Sequence, residues 1–185
     1  YFNFSFNLSS ITNFINLVKL IRIIKPEIVQ TWLYHADFLG GCAAYLANSK
    51  NIFWGIHHAS LDSKINKFST ILVAKLNSYL SHFIPRKIIV CADNSKLIHI
   101  NEGFSRRKFI TIPNGINTKK FKKSKKNRIY FRNKINVKSY EILYGTVARF
   151  HPIKDHTTLL KSISLLKKTG FKFKYLLIGK NINNK

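Results

Sequence analysis

The residues best suited to chemistry lie in Tyr144-Gly145-Thr146-Val147-Ala148-Arg149-Phe150-His151-Pro152-Ile153-Lys154-Asp155. Ile142 to Val147 is apolar and β-prone, and Pro152 excludes continued strand pairing. Asp155 stands where an N-cap belongs, ahead of Leu159, Leu160, Ile163 and Leu166 at helical spacing. A strand, a short loop and a helix start in that order bring unpaired N–H groups and a positive dipole end to the loop. Arg149 and Lys154 add a planar fork of donors and a mobile point charge. This is chemistry for holding a diphosphate. The plainer alternative is a surface loop on a lysine-rich protein.

A second set of polar residues follows four apolar runs. His35 and Asp37 come after Ile28–Leu33, and His57, His58, Ser60 and Asp62 after Ile52–Ile56. Asn94 and Ser95 follow Lys87–Cys91, and Asn114 with Gly115 follows Phe109–Ile112. If these runs are parallel strands, all of these groups gather on one edge of the sheet, where open α/β folds bind ligands. An imidazole there, from His57 or His58, can hydrogen-bond a leaving phosphate or a sugar hydroxyl. The alternative for each is local capping or packing. Asp62 suits a cap, while His82, His99 and His156 fall on helical stretches and read as surface or packing residues.

Other chemistries find no pattern here. There is no GxxxxGK[ST], no GxGxxG, no GxS-type elbow and no assembled Ser-His-Asp or Cys-His set. Gly40-Gly41 runs into Cys-Ala-Ala within a helical stretch and reads as packing. Cys42 and Cys91 belong to no CxxC or Cys/His cluster, so no metal site is expected, and both read as buried thiols in a reducing compartment.

The elements that must position these groups alternate along the chain. Ile11–Ile24 has helical periodicity and stops at Lys25-Pro26. A strand at Ile28–Leu33, a Gly/Ala-rich helix at Asp37–Ala47 and a strand at Ile52–Ile56 follow. Phe68–Ile84 is a long amphipathic helix, Lys87–Cys91 a strand, and Asp93 is expected to cap the next helix. Phe109–Ile112 is a strand ending at Pro113-Asn114-Gly115. Arg128–Asn136 suits a short helix, and a fresh strand–loop–helix–strand unit runs from Glu141 to Gly179. The pattern predicts an α/β protein with mostly parallel sheets. It divides into residues 1–114, a basic linker at 115–140, and the start of a second domain at 141–185.

The charge is extreme and uneven. Of a net +25, residues 1–114 carry +8 and residues 115–185 carry +17. The excess is mostly lysine, 25 against 7 arginines, with abundant Asn, Ile and Phe, the mix that an AT-biased coding sequence produces. A base-reading surface would favour arginine, so the charge does not identify a specific nucleic-acid partner. A nucleic-acid-binding or non-enzymatic basic α/β protein is the alternative that charge alone suggests. Attraction to anionic lipid or phosphorylated ligands fits as well. A spanning helix needs about 20 apolar residues. Phe68–Ile84 is interrupted by Lys75, Asn77, Ser78, Ser81 and His82, which leaves a core-facing helix or one lying on a membrane surface.

Pro26-Glu27-Ile28-Val29-Gln30-Thr31-Trp32-Leu33-Tyr34-His35-Ala36-Asp37 and Trp54-Gly55-Ile56-His57-His58-Ala59-Ser60-Leu61-Asp62 resemble the N-domain of family 4 glycosyltransferases. Ile112-Pro113-Asn114-Gly115-Ile116-Asn117, followed by Phe121, resembles the segment entering their interdomain linker. Gly145–Asp155 resembles their donor-phosphate motif. The resemblance implies the GT-B fold, two Rossmann-like domains with the active site in the cleft between them. It also implies a retaining transfer of sugar from a nucleotide-sugar donor to a glycan or lipid-linked acceptor in surface polysaccharide assembly. Carried over, Arg149 and Lys154 bind the donor diphosphate, and His57 or His58 matches the histidine near the transferred sugar. His35, Asp37, Asn114 and Gly115 would line the cleft. No cofactor is implied, the nucleotide-sugar being a substrate. The expected location is cytoplasmic, peripheral at the inner face of the plasma membrane. The family's first strand, glycine-rich acceptor loop and C-terminal acidic motif are not found, so the chain is expected to be an internal piece of a longer protein, inactive alone.

Overall fold

The computed structural model describes residues 8–57, 61–62 and 66–180, and the chain divides into two units, Tyr1–Gly115 and Ile116–Lys185.

The first unit alternates helix and strand throughout: α1 (Leu8–Ile24), β1 (Val29–Trp32), α2 (Tyr34–Leu46), β2 (Ile52–Ile56), α3 (Phe68–Leu80), β3 (Lys87–Val90), α4 (Asp93–Asn101) and β4 (Phe109–Thr111). The strands form one parallel sheet in the order β1-β2-β3-β4, with Thr31 opposite Trp54, Trp54 opposite Ile88, and Ile88 opposite Phe109. Parallel pairing forces each connection to cross back over the sheet, and the helices do so.

Period-two alternation selects the core face. Ile52, Trp54, Ile56, Ile88 and Val90 are buried, while Gln30, Trp32 and Ile110 on the alternate face are exposed. Two glycines let α2 settle onto the buried face. A Cβ on Gly40 would stand 2.7 Å from Thr31 Cγ2, and one on Gly41 would stand 2.5 Å from Trp54 Nε1. This is why Gly40-Gly41 is packing rather than a phosphate cradle.

His99 is also a packing residue, fully buried between Tyr34, Phe104 and Phe109. Its Nδ1 lies 2.6 Å from the Ser95 carbonyl, which can only accept, so Nδ1 carries the proton. Nε2 must then accept, and the Tyr34 hydroxyl donates to it at 2.6 Å. Burial, with Asp37 and Glu102 nearby, pushes the Tyr34 hydroxyl well above its ordinary range, so it stays a donor.

Asp93 departs from expectation. It is the first residue of α4 rather than its cap, and its carboxylate accepts from Thr111 Oγ1 at 2.6 Å. A short-range capping rule gives way here to a bond from a strand 18 residues away.

In the second unit, α5 (Lys125–Lys134) precedes β5 (Ile142–Val147), α6 (His156–Lys168) and β6 (Phe173–Ile178). β5 and β6 pair in parallel from Ile142–Phe173 to Val147–Ile178. The stretch 115–140 is more than an exposed linker. Lys119, Lys120, Lys122 and Lys123 are exposed, but Arg132 is buried and donates to the carbonyls of Lys138 and Glu141, each at 2.5 Å. That guanidinium ties the end of α5 to the start of β5. Glu141 also pairs with Lys174 at 3.2 Å, and Lys174 donates to the Asn136 carbonyl.

Candidate active site

In the first unit the C-terminal ends of all four strands lie along one rim. Trp32 ends β1 opposite Gly55, and Ile56 is opposite Val90. A Cβ on Gly55 would be 2.3 Å from the Trp32 ring, so only glycine lets the indole lie over β2. Two residues further, His57 meets that indole with ring centroids 4.9 Å apart and planes tilted by 35°. His57 is exposed, so Trp32 supports its imidazole without closing it off from solvent.

His35 is exposed in the first turn of α2. It reaches the rim because Leu33 makes the strand-to-helix turn alone, at φ 74° and ψ 153°. This is left-handed backbone that side chains rarely adopt, and such strain is characteristic of functional turns. The turn is held from both sides: the Leu33 amide donates to Gly55 O at 2.9 Å, and its carbonyl accepts from the Asp37 amide at 2.8 Å.

Asp37 lies beneath the rim rather than along it. It is fully buried, with Thr31 Oγ1 donating to Oδ1 at 2.5 Å and Oδ2 without a partner among the described residues. Burial pushes its carboxyl up to about 7, against the opposing pull of the Thr31 and Gly55 hydrogen bonds. Asn114 and Gly115 are exposed, in irregular backbone just past β4. His58 and Ser60 lie outside the described residues.

The second unit carries its own strand-end loop. Arg149 and Lys154 are both exposed between β5 and α6. The loop starts from a close backbone approach. Ala148 and Phe150 donate to the carbonyls of Ile178 and Lys180, each at 2.9 Å, and a Cβ on Gly179 would fall 1.9 Å from the Ala148 carbonyl oxygen. A single turn, Pro152–Lys154, then carries Lys154, with His151 Nδ1 accepting from the Ile153 amide at 3.3 Å.

Asp155 sits at φ 46°, a conformation that Asp tolerates better than most residues, and its carboxylate accepts from the Thr158 amide at 3.2 Å. The Thr158 hydroxyl, and after it the Thr158 amide, hold the Asp155 carboxyl below the usual range. The first-turn amides of His156 and Thr157 are left without intrahelical acceptors. The His156 ring is buried against Phe150 at 5.2 Å, and neither of its nitrogens has a partner among the described residues.

The first unit also holds two hollows. One of about 190 Å³ is lined by Leu61, Ile71, Ala74, Lys75 and Glu102. Another of about 560 Å³ includes Arg22, Lys25, Asn48 and Asn51. Neither is lined by a residue that the sequence marked as a ligand contact.

The sequence reading missed three positioning residues: Trp32, Gly55 and Gly179. Each acts through a neighbour on another strand, so the signal lies in sheet register rather than in local spacing.

The Glycosyltransferase Family 4 model matches residues 1–120, and the chain belongs to that family. It is 24% identical over 172 residues to "Putative glycosyltransferase EpsF" of Bacillus subtilis (strain 168), covering 89% of this chain and 45% of that protein. Among solved structures it is similar to Anabaena Alr3699/HepE in complex with UDP, with TM-score 0.68 and 12% identity, over 94% of this chain and 53% of that one. A glycosyltransferase from Rickettsia africae ESF-5 aligns with TM-score 0.67 and 18% identity, over 98% and 46%. The lipopolysaccharide outer core galactosyltransferase WaaB aligns with TM-score 0.55 and 12% identity, over 95% and 50%. The fold is therefore the α/β fold of GT-B glycosyltransferases. The chain spans about half the length of these relatives.

Proposed function

We propose that the chain is part of a retaining glycosyltransferase that transfers a sugar from a nucleotide-sugar to a glycan or lipid-linked acceptor during surface polysaccharide assembly, at the cytoplasmic face of a membrane. The observation that carries this reading is the pair Arg149 and Lys154, exposed on one strand-end loop ahead of α6 in a Family 4 chain. UDP and UDP-glucose are bound in the related Anabaena structures, which makes a uridine diphosphate leaving group the first to test.

The physical burden of the reaction is the departing diphosphate, on which negative charge grows. The Arg149 guanidinium, the Lys154 ammonium and the first-turn amides of α6 would stabilise that charge more than they stabilise the intact donor. Asp155 opposes them slightly, but its carboxylate is spent on the Thr158 amide. His57, supported by Trp32, offers an imidazole to the leaving phosphate or to a hydroxyl of the transferred sugar. No cofactor enters this scheme, because the nucleotide-sugar is a substrate.

The test is turnover of a panel of nucleotide-sugars by the whole protein, with the product anomer read by NMR. Transfer with the donor's anomeric configuration kept is the expected result. Inversion would overturn the retaining assignment, and no transfer from any nucleotide-sugar would overturn the activity.

A further inference from the structure

One buried imidazole in this chain is fully used and another is not. His99 is buried with both ring nitrogens placed, Nδ1 on the Ser95 carbonyl and Nε2 on the Tyr34 hydroxyl. His156, the first residue of α6, is 4% exposed, and neither of its nitrogens has a partner among the described residues. A buried polar group without a hydrogen bond is unfavourable, and an apolar ring would fill the space without that cost. Packing therefore accounts for the ring and leaves its nitrogens unexplained.

The residue that packs on it is equally out of place. The Phe150 ring stands 5.2 Å from that of His156, centroid to centroid, with the planes tilted by 60°, yet Phe150 is 56% exposed. A large apolar ring in water over a polar ring in the interior inverts what solvation favours. Phe150 directly follows Arg149, and His156 stands two residues after Lys154, so the pair spans the loop that carries both cations.

We propose that His156 is a donor-binding residue held in reserve: when a nucleoside diphosphate engages Arg149 and Lys154, Phe150 moves off the imidazole and a ring N–H pairs with a phosphate oxygen. This rests on the donor-loop reading, to which it adds a third side chain and a movement. The imidazole is already stripped of water, so its bond to the phosphate is not offset by a bond lost to solvent. It also stands at the start of α6, where the first-turn amides favour the same anion. The order of events follows from burial: the ligand cannot reach the ring until its cover has shifted, and the cations, both exposed, meet the ligand first.

Titration calorimetry of UDP into the whole protein separates this role from packing. His156→Phe keeps a ring and removes the nitrogens. It should melt at or above the parent's temperature while UDP affinity drops by about tenfold or more. His156→Gln should recover most of that affinity, since its amide is also a donor. NMR reads the same event directly. The nitrogen shifts of the parent's His156 ring, assigned by their absence from His156→Gln, should move on adding UDP and stay put on adding uridine, which lacks the phosphates. These shifts decide the matter if His156→Phe fails to fold. Three results would overturn the proposal: parental UDP affinity in His156→Phe, a loss of affinity in step with a loss of stability, or ring shifts that UDP leaves alone or uridine moves equally. If Arg149→Ala and Lys154→Ala both bind UDP as the parent does, the donor-loop reading falls and takes this role with it. If they weaken and His156→Phe does not, only the role of His156 falls.

Discussion

Trp32 ends β1 and His57 directly follows the neighbouring strand β2, with their ring centroids 4.9 Å apart, and the indole can take that position only because residue 55 has no side chain. The three residues form one device. Gly55 makes room, Trp32 fills it, and His57 is presented at the rim on an aromatic support.

Gly55→Ala should disrupt that device. The added methyl would sit 2.3 Å from the indole, so Trp32 must move or the strands must part. Overpacking of this kind costs about 1–3 kcal/mol. Urea denaturation should show that loss, and turnover by the whole protein should fall with it. Parental stability and turnover in the variant would show that the indole does not depend on the glycine.

Asp37 sets a pH dependence of stability. Its carboxyl titrates at about 7 in the fold against an ordinary value of 3.8, because burial disfavours the charged form. Between those values the folded state binds a proton that the unfolded state has lost. Its contribution is therefore fully present below about pH 4 and declines as pH rises to about 7, by up to about 4 kcal/mol. Denaturation at a series of pH values should show this decline in the parent and a flatter profile in Asp37→Asn. Parallel profiles would contradict the burial of an ionisable group at that position.

Tyr34→Phe removes the hydroxyl that donates to His99 Nε2 inside the core. The expected cost is about 1–3 kcal/mol. A second, independent readout is the imidazole itself: the NMR shifts of the His99 ring nitrogens should differ between the variant and the parent.

Gly179→Ala tests how the donor loop is positioned. Its methyl would collide with the Ala148 carbonyl, backbone against backbone, so the start of the Arg149 loop must shift. Donor affinity should drop by about tenfold or more while the helical signal is retained. Unchanged affinity would mean that the loop is not set by the β5–β6 junction.

Much of this was legible in the residue order because it is local. The apolar run Ile52–Ile56 is a strand over the same five residues, and Ile142–Val147 likewise. Asp155 caps α6 as its position ahead of a periodic apolar segment foretold. What could not be read depends on partners far along the chain. Asp37 looked like a rim residue, but α2 begins one turn earlier, at Tyr34, and turns that carboxyl inward to Thr31. α3 stops at Leu80 rather than Ile84, where Ser81 Oγ accepts from Ser105. The left-handed turn at Leu33 carries no glycine or asparagine to announce it. The pairing of Trp32 with Gly55 exists only once β1 and β2 are in register.

The most direct test of the donor-site claim is calorimetric titration of UDP and UDP-glucose into the whole protein and its Arg149→Ala and Lys154→Ala variants. Each lost charge-assisted bond should weaken binding by about 10- to 100-fold, the equivalent of roughly 1.5–3 kcal/mol. Donor affinity equal to the parent's in both variants would contradict the assignment of this loop to the diphosphate.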